Sequence, residues 1–514
     1  MIAALLALAF QCPDGSPPPC SRGARAPAPL HGSIAVLPFT NRMPDQADAY
    51  LAEELPEQIS GRLSRIASLR VTSATAVAAQ WRRTPDPLMS ARALHVEWLV
   101  TGSLRRAQSQ ISASIELVRV ATGEQAWSSV FRSNGDIGAI ETQVAESVAV
   151  AVGGRLAPEQ VAVLQRTATR NPDAYRLYLN ARSLTARRTT SDIQAAVTAL
   201  TTALRLDPGF ALGWARMAIA RSLQTQYGNT EGMGVDSLLV LSRAAVDRAL
   251  ALDSNLAEAW LALGQWNVVA PRPDLGEAWR AFSRAVRLDS LSADIEHATG
   301  YFYGIEVLGL PDQAEPHLRR ALSLNPDLRN SWRALAGLYD VRGQLPQAIA
   351  FYDTALTRGA WALGYIERGW ARYEMGDKAG ALADQAAADS IGFRATATSA
   401  LVPLDARLAL YAAERGDSAP VRARVASAST SPFDLVSKAV VAMYTGRREL
   451  ALATLEQLRA TRDPTEPWCA PARPCSASLR TWRTAQARVF TALRSDPRFQ
   501  RLVNDTRPDV PWLR

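Results

Sequence analysis

Between Asn330 and Ala360 the apolar positions follow a helical period. Trp332, Leu335, Ala336 and Tyr339 fall at i, i+3, i+4 and i+7, one face of a helix. Gly343 breaks the period, and Leu345-Pro346 opens a second helix whose face is Ala348, Tyr352 and Ala355. Small Ala336 and Ala348 let the two helices approach closely, Trp332 and Tyr352 fill the gaps beside them, and Ala355 leaves room for the next pair. The pattern recurs along the chain. Trp260, Leu263 and Gly264 repeat the first face, and Ala278, Phe282 and Ala285, closed by Asp289-Ser290, repeat the second. Ala314, Leu318 and Ala321 lead to Asn325-Pro326, and Ala196, Leu200 and Ala203 lead to Asp207-Pro208. Gly369, Gly376 and Ala381 keep the spacing after Arg358, and Gly446, Ala451 and Leu455 mark a late, worn copy. A single match means ordinary helix packing; a tandem run means a repeat array.

These residues resemble the tetratricopeptide repeat, with about 34 residues per helix pair. The resemblance implies an all-α superhelix from Asn171-Pro172 onward. The stretch Tyr227–Val235 reads as an insertion within one repeat, and its glycines lack the G-x4-G-K-[ST] pattern of a phosphate loop. The array fades after Ala388. Arg462–Pro474 is a Pro-rich excursion, Ser476–Leu493 a final helix, and Ser495–Phe499 the start of a short tail, together capping the solenoid.

Upstream, the period changes. Ser33–Phe39 reads as a buried strand, and Gln46–Ile66 as a helix that Pro56 and Gly61 split or kink. Ser68–Thr72 is a second strand. Helical stretches at Thr75–Trp81 and Met89–Leu94 are separated by Pro85 and Pro87. Trp98–Leu104 is a third strand. Ile111, Ala113, Ile115 and Leu117 alternate with Ser112, Ser114 and Glu116, a strand with one wet face. Thr122-Gly123 turns into Gln125–Phe131, and Asp136 caps an amphipathic helix through Val152. The order is β-α-β-α-β-β-β-α.

Ser33–Phe39, Tyr50-Leu51-Ala52, Leu69-Arg70-Val71, Val100–Arg106 and Ala121–Ser128 resemble the TolB amino-terminal-like domain, which in bacteria often precedes tetratricopeptide repeats. Two departures stand out. Glu54 occupies a position where glycine is common, and the Ala107-Gln108-Ser109 hairpin lacks its usual glycine, so the loops differ while the fold survives. The resemblance implies no catalytic residue. The expected architecture is therefore a short apolar signal or membrane-helix remnant plus a Pro-rich linker over 1–32, a TolB amino-terminal-like α/β domain over 33–165, and an all-α tetratricopeptide-repeat solenoid over 170–514 with C-terminal capping helices.

Composition adds compartment and excludes chemistry. The 514 residues are 48% hydrophobic and 21% charged, which excludes a disordered chain. The net charge of +8 is nearly all arginine, since Lys378 and Lys438 are the only lysines. That points to codon usage in a GC-rich genome, and no arginine run interleaved with aromatics suggests a nucleic-acid partner. Met1–Phe10 is apolar but too short to span a bilayer. It reads as a secretory signal with Ala7-Leu8-Ala9 as cleavage site, or as the tail of a longer membrane helix that tethers the chain. Either reading places the rest outside the cytoplasm, periplasmic or membrane-anchored. Cys12 with Cys20 and Cys469 with Cys475 form two short pairs matching no zinc spacing, and read as disulfides of an oxidising compartment.

Catalytic motifs are absent. His31, His95, His297 and His317 are scattered, and no HExxH, G-x-S-x-G or kinase set occurs. The expectation is a chain with no catalytic, metal or cofactor site and no small-molecule substrate. It is a non-catalytic envelope scaffold that holds a protein or peptide in its concave groove. The alternative is the detached, or start-truncated, sensory or regulatory half of a signalling protein whose kinase, cyclase or DNA-binding effector is missing from this chain. Proteins with this domain pair often carry a kinase, cyclase or DNA-binding domain in front, and the residues before Ser33 leave no room for one. By register, Arg333, Asp340, Trp370, Tyr373, Glu258 and Gln265 face the groove, the aromatics serving either as exposed anchors or as packing between repeats.

Overall fold

The computed structural model describes residues 31–43, 48–108, 110–165, 168–187, 189–226, 232–270, 274–304, 307–359, 362–391, 404–461 and 488–506. All four cysteines, Met1–Phe10 and the whole Pro-rich excursion Arg462–Pro474 lie outside the described residues. The chain divides into two compact units, Met1–Arg166 and Thr167–Arg514.

The first unit runs β1 (Ser33–Val36), β2 (Thr40–Asn41), α1 (Leu51–Leu63), β3 (Arg70–Val71), α2 (Ala74–Arg83), α3 (Pro87–Ala93), β4 (Trp98–Ala107), β5 (Gln110–Arg119), β6 (Glu124–Ser133), α4 (Ile137–Gly153) and α5 (Pro158–Leu164). One sheet holds all six strands in the order β3-β1-β4-β5-β6, with β2 beside β4. β1 lies parallel to β3 and β4, and β4, β5 and β6 form an antiparallel meander. Every residue of β1 is buried, which is why it reads as an unbroken apolar run. On β5, Ile111, Ala113, Ile115 and Leu117 are fully buried while Ser114 and Glu116 face water, the alternation of a half-covered strand. A buried ion pair ties α1 to α4, with Arg62 Nη2 and Glu141 Oε2 3.2 Å apart. Arg62 Nη1 also donates to the Leu164 carbonyl, 2.7 Å away, fastening α5.

The expected strand and helix order stands, with β2 and α5 added. The split at Pro56 does not occur: α1 is one helix with Pro56 inside it. Proline removes the bond to the carbonyl four residues back, which is that of Ala52. The Phe39 N–H, just after β1, donates to that carbonyl at 3.1 Å, so the lost bond is replaced by one that docks the helix. Gln108, in the glycine-poor hairpin, takes a left-handed φ of 53°.

The second unit is a tandem array of antiparallel helix pairs of the tetratricopeptide kind. The pairs are α6 (Pro172–Arg187) with α7 (Thr190–Leu206), α8 (Ala211–Gln226) with α9 (Val235–Leu252), α10 (Ala257–Val269) with α11 (Leu275–Leu288), and α12 (Ala293–Tyr303) with α13 (Pro311–Leu324). They continue as α14 (Arg329–Val341) with α15 (Leu345–Thr357), α16 (Ala362–Met375) with α17 (Lys378–Ser390), α18 (Leu404–Glu414) with α19 (Ala419–Ala426), and α20 (Pro432–Tyr444) with α21 (Arg448–Ala460).

Three recurring devices set the register. Small residues lie where the helices of a pair touch: Ala336 is fully buried against Leu345, Ala348 and Tyr352, and a Cβ on Gly264 would stand 2.7 Å from Phe282 Cε1. A tryptophan in the first helix donates to the carbonyl six residues earlier, Trp214 to Pro208, Trp260 to Ser254 and Trp332 to Pro326, at 2.6 to 3.0 Å. An Asp or Asn ends the second helix and accepts from the N–H two residues on, at Asp207, Asp253, Asp289 and Asn325. These are Asx turns, and they fix the exit angle into the next pair.

Beyond Ala388 the apolar period weakens but the helices continue through α21. The expected final helix over Ser476–Leu493 is, in its described part, a 3-10 turn over Arg488–Leu493. The expected tail holds a further helix, α22 (Pro497–Thr506), which buries Phe499 and Leu502 and binds Glu449 through Arg498 at 3.0 Å.

Candidate functional site

The first helices of successive pairs carry a row of side-chain bonds from helix to helix. Arg216 of α8 pairs with Glu258 of α10. His297 Nδ1 of α12 lies 2.8 Å from Ser331 Oγ of α14. Arg333 of α14 donates to Glu367 of α16 at 2.9 Å, and Arg407 of α18 donates to the Ile366 carbonyl at 3.0 Å. Burial opposes the charge on Arg216, but Glu258 and Tyr178 outweigh it, and the guanidinium holds its proton more tightly than usual. These rungs align the first helices as one surface.

Two of the expected groove residues, Arg333 and Glu258, are therefore rung partners. Gln265 is half-buried on α10. Trp370 and Tyr373 are not exposed anchors: only 2% and 6% of their surfaces meet solvent. Trp370 stacks on Tyr373 at 5.3 Å, Tyr444 meets it edge-on at 5.4 Å, and Arg407 lies 5.2 Å over its ring. Aromatics at helical spacing have here become core between repeats, because α18 and α20 bring Tyr411 and Tyr444 against them.

Asp340 stands apart. Burial and the neighbouring Glu374 push its carboxyl up to about 8. Burial also raises Glu374, which accepts a hydrogen bond from Tyr444 Oη at 2.6 Å. Sequence reasoning named Asp340 but missed Glu374 and Tyr444, because that contact joins residues 70 positions apart.

His317 Nδ1 lies 2.7 Å from Glu296 Oε2 and its ring stacks on Tyr303, so both array histidines have structural partners. Among the described residues no group of His, Cys, Asp and Glu is placed to hold a metal ion, and no helix is long and apolar enough to cross a membrane.

Residues 30–145 match the sequence model of the HilA/YgeH-like transcriptional regulator, second domain. The chain is 28% identical over 223 residues to a Rhizobium meliloti (strain 1021) protein named "Putative adenylate cyclase 3". That match covers 43% of this chain and 38% of the relative, so the chain spans well under half of the relative's length. Among solved structures, a thermophilic tetratricopeptide-repeat protein of Thermus thermophilus is 23% identical with a TM-score of 0.30, over 36% of this chain and 91% of its own. YrrB, a tetratricopeptide-repeat protein with an unusual peptide-binding site, is 23% identical with a TM-score of 0.26, over 37% of this chain and 91% of its own.

Proposed function

We propose that the chain is a non-catalytic scaffold whose helical array binds a protein or peptide along the face made by the first helices. The observation that carries this reading is the row of rungs from Arg216–Glu258 to Arg333–Glu367. It holds successive helices in fixed register, and a pre-organised face lowers the ordering cost of binding an extended segment. Placing a photo-crosslinking residue at Gln265, on a first helix, should trap a partner, and placing it at Val240, an exposed residue of the second helix α9, should not. Equal yields at both positions, with unchanged melting, would refute the groove.

We further read the first unit as TolB amino-terminal-like, on the strength of its parallel β3-β1-β4 core followed by a meander. We place the chain in the bacterial envelope, periplasmic or tethered at its N-terminus. That location requires oxidised cysteines, Cys469 with Cys475 and, if kept after processing, Cys12 with Cys20. Each short loop would contribute at most about 2–3 kcal/mol. Mass spectrometry of unreduced peptides decides it, and free thiols at all four positions would remove the envelope assignment.

The second reading is a regulatory half of a signalling system, favoured by the partial match to the cyclase-named relative. Crosslinks from Gln265 to a nucleotide cyclase or kinase would favour it over the scaffold.

A further inference from the structure

β6 is the last strand of its sheet, and among the described residues its outer edge pairs with no other strand. The ladder fixes which backbone groups stand on that edge. The carbonyls of Val100 and Leu104 accept from Leu37 and Arg42, on the side of β4 away from β5. Direction alternates along a strand, so Thr101 and Ser103 turn towards β5, where they meet Glu116 and Ser114. Ile111, Ala113, Ile115 and Leu117 of β5 then bond to Ser133, Phe131, Ser129 and Trp127 of β6. The amides and carbonyls of Ser128, Val130 and Arg132 are left pointing outward. All three side chains are exposed, Val130 by 44%. The bulge opposite Leu117 and Val118 disturbs only the start of β6. From Trp127 to Ser133 the edge is regular and holds neither the proline nor the lysine that usually blunts one.

We propose that β6 pairs antiparallel with β6 of a second copy of this chain, about a two-fold axis at Val130, so that two sheets join into one. This register sets Ser128 against Arg132 of the second copy, Val130 against its own counterpart, and Arg132 against Ser128. All are outward-facing residues, so the pairing forms about six backbone hydrogen bonds. It also covers the exposed Val130 with an identical apolar side chain. Charge selects the same register. On the wet face Glu116 lies beside Ser128, and that row continues into Arg132 of the second copy. The Cα atoms of Glu116 and that Arg132 stand two strand spacings apart, roughly 10 Å. A glutamate and an arginine together span this over the small Ser128, and the two-fold axis makes the contact twice. Both side chains are exposed, so the ion pairs fix the register more than they add affinity. Any other register takes Arg132 off that row.

Sedimentation equilibrium of the full chain at concentrations up to about 100 μM tests this, and the wild type should form a dimer. The Val130 N–H points away from β5, so Val130→Pro removes an edge donor without breaking the ladder behind it. That variant should be monomeric and melt as the wild type does. Arg132→Glu and Glu116→Arg should each weaken association about tenfold, and the double exchange should restore it. The restoration separates a lost contact from a damaged fold. A monomer at every concentration would overturn the proposal and leave the edge to a strand of another protein. A dimer that Val130→Pro leaves intact, or a double exchange no tighter than either single variant, would overturn it as well.

Discussion

At the residue scale, two positions in the first unit carry backbone choices that substitution should improve. Gln108 sits at φ 53° in the β4–β5 hairpin, a left-handed conformation that costs a side-chain-bearing residue about 1–2 kcal/mol. Gly61 lies inside α1, where a Cβ would meet nothing within 4 Å, and helical glycine is worth about 1 kcal/mol less than alanine. Gln108→Gly and Gly61→Ala should therefore each raise the stability of the first unit by about 0.5–1 kcal/mol. Denaturant unfolding of each variant checks this, and a loss at either site would mean that its backbone is held otherwise. The missing hairpin glycine was visible in the sequence, whereas the use of the Ala52 carbonyl was not. Pro56 signals a broken bond, but only the tertiary path of β1 brings the Phe39 N–H to replace it.

At the element scale, the close contacts within helix pairs are the most sensitive points. Ala336 is fully buried between α14 and α15, while Ala383 of α17 faces solvent. Ala336→Leu should overpack the contact and cost roughly 1–3 kcal/mol, against under about 0.5 for Ala383→Leu. Thermal melting of the two variants tests it, and equal shifts would mean the repeat register is misplaced. This register was legible because its signals are local: a small residue at the contact, a tryptophan six residues after its bonded carbonyl, an Asx turn at each exit. The strands of the first unit were legible for the same reason, since β5 alternates and β1 does not. The packing of Trp370 and Tyr373 was not, because periodicity places both on the inner face of α16 without saying that Tyr411 and Tyr444 will cover them.

At the scale of the whole molecule, carboxyl groups shifted in opposite directions make stability depend on pH in opposite senses. Burial opposes ionisation of Glu315, yet hydrogen bonds from Arg342, Arg319 and Tyr339 outweigh it and hold the carboxyl below the usual range. Asp434 is lowered by bonds from Ser429 and Ser431 and by Arg424, against burial. A depressed carboxyl contributes stability that is present above its unfolded value and lost as pH falls through its folded value. Asp340, raised to about 8, acts in the opposite sense and withdraws its contribution as pH rises. The loss at Asp340 begins near the ordinary carboxylate range and is complete by about pH 8, so the array should be most stable at mildly acidic pH, with an acid limb below and an alkaline limb running up to about pH 8. Because the limbs rest on different residues, they can be removed one at a time. Glu315→Gln should cost about 1–2 kcal/mol near neutrality, since Arg342 and Arg319 lose a charged acceptor, and should make the acid limb shallower while leaving the alkaline limb intact. Asp340→Asn should do the reverse, flattening the alkaline limb and sparing the acid one. Denaturant midpoints measured across both limbs for the two variants separate these effects, and a Glu315→Gln variant with the wild-type acid slope would show that its bonds to arginine do not hold the carboxyl down.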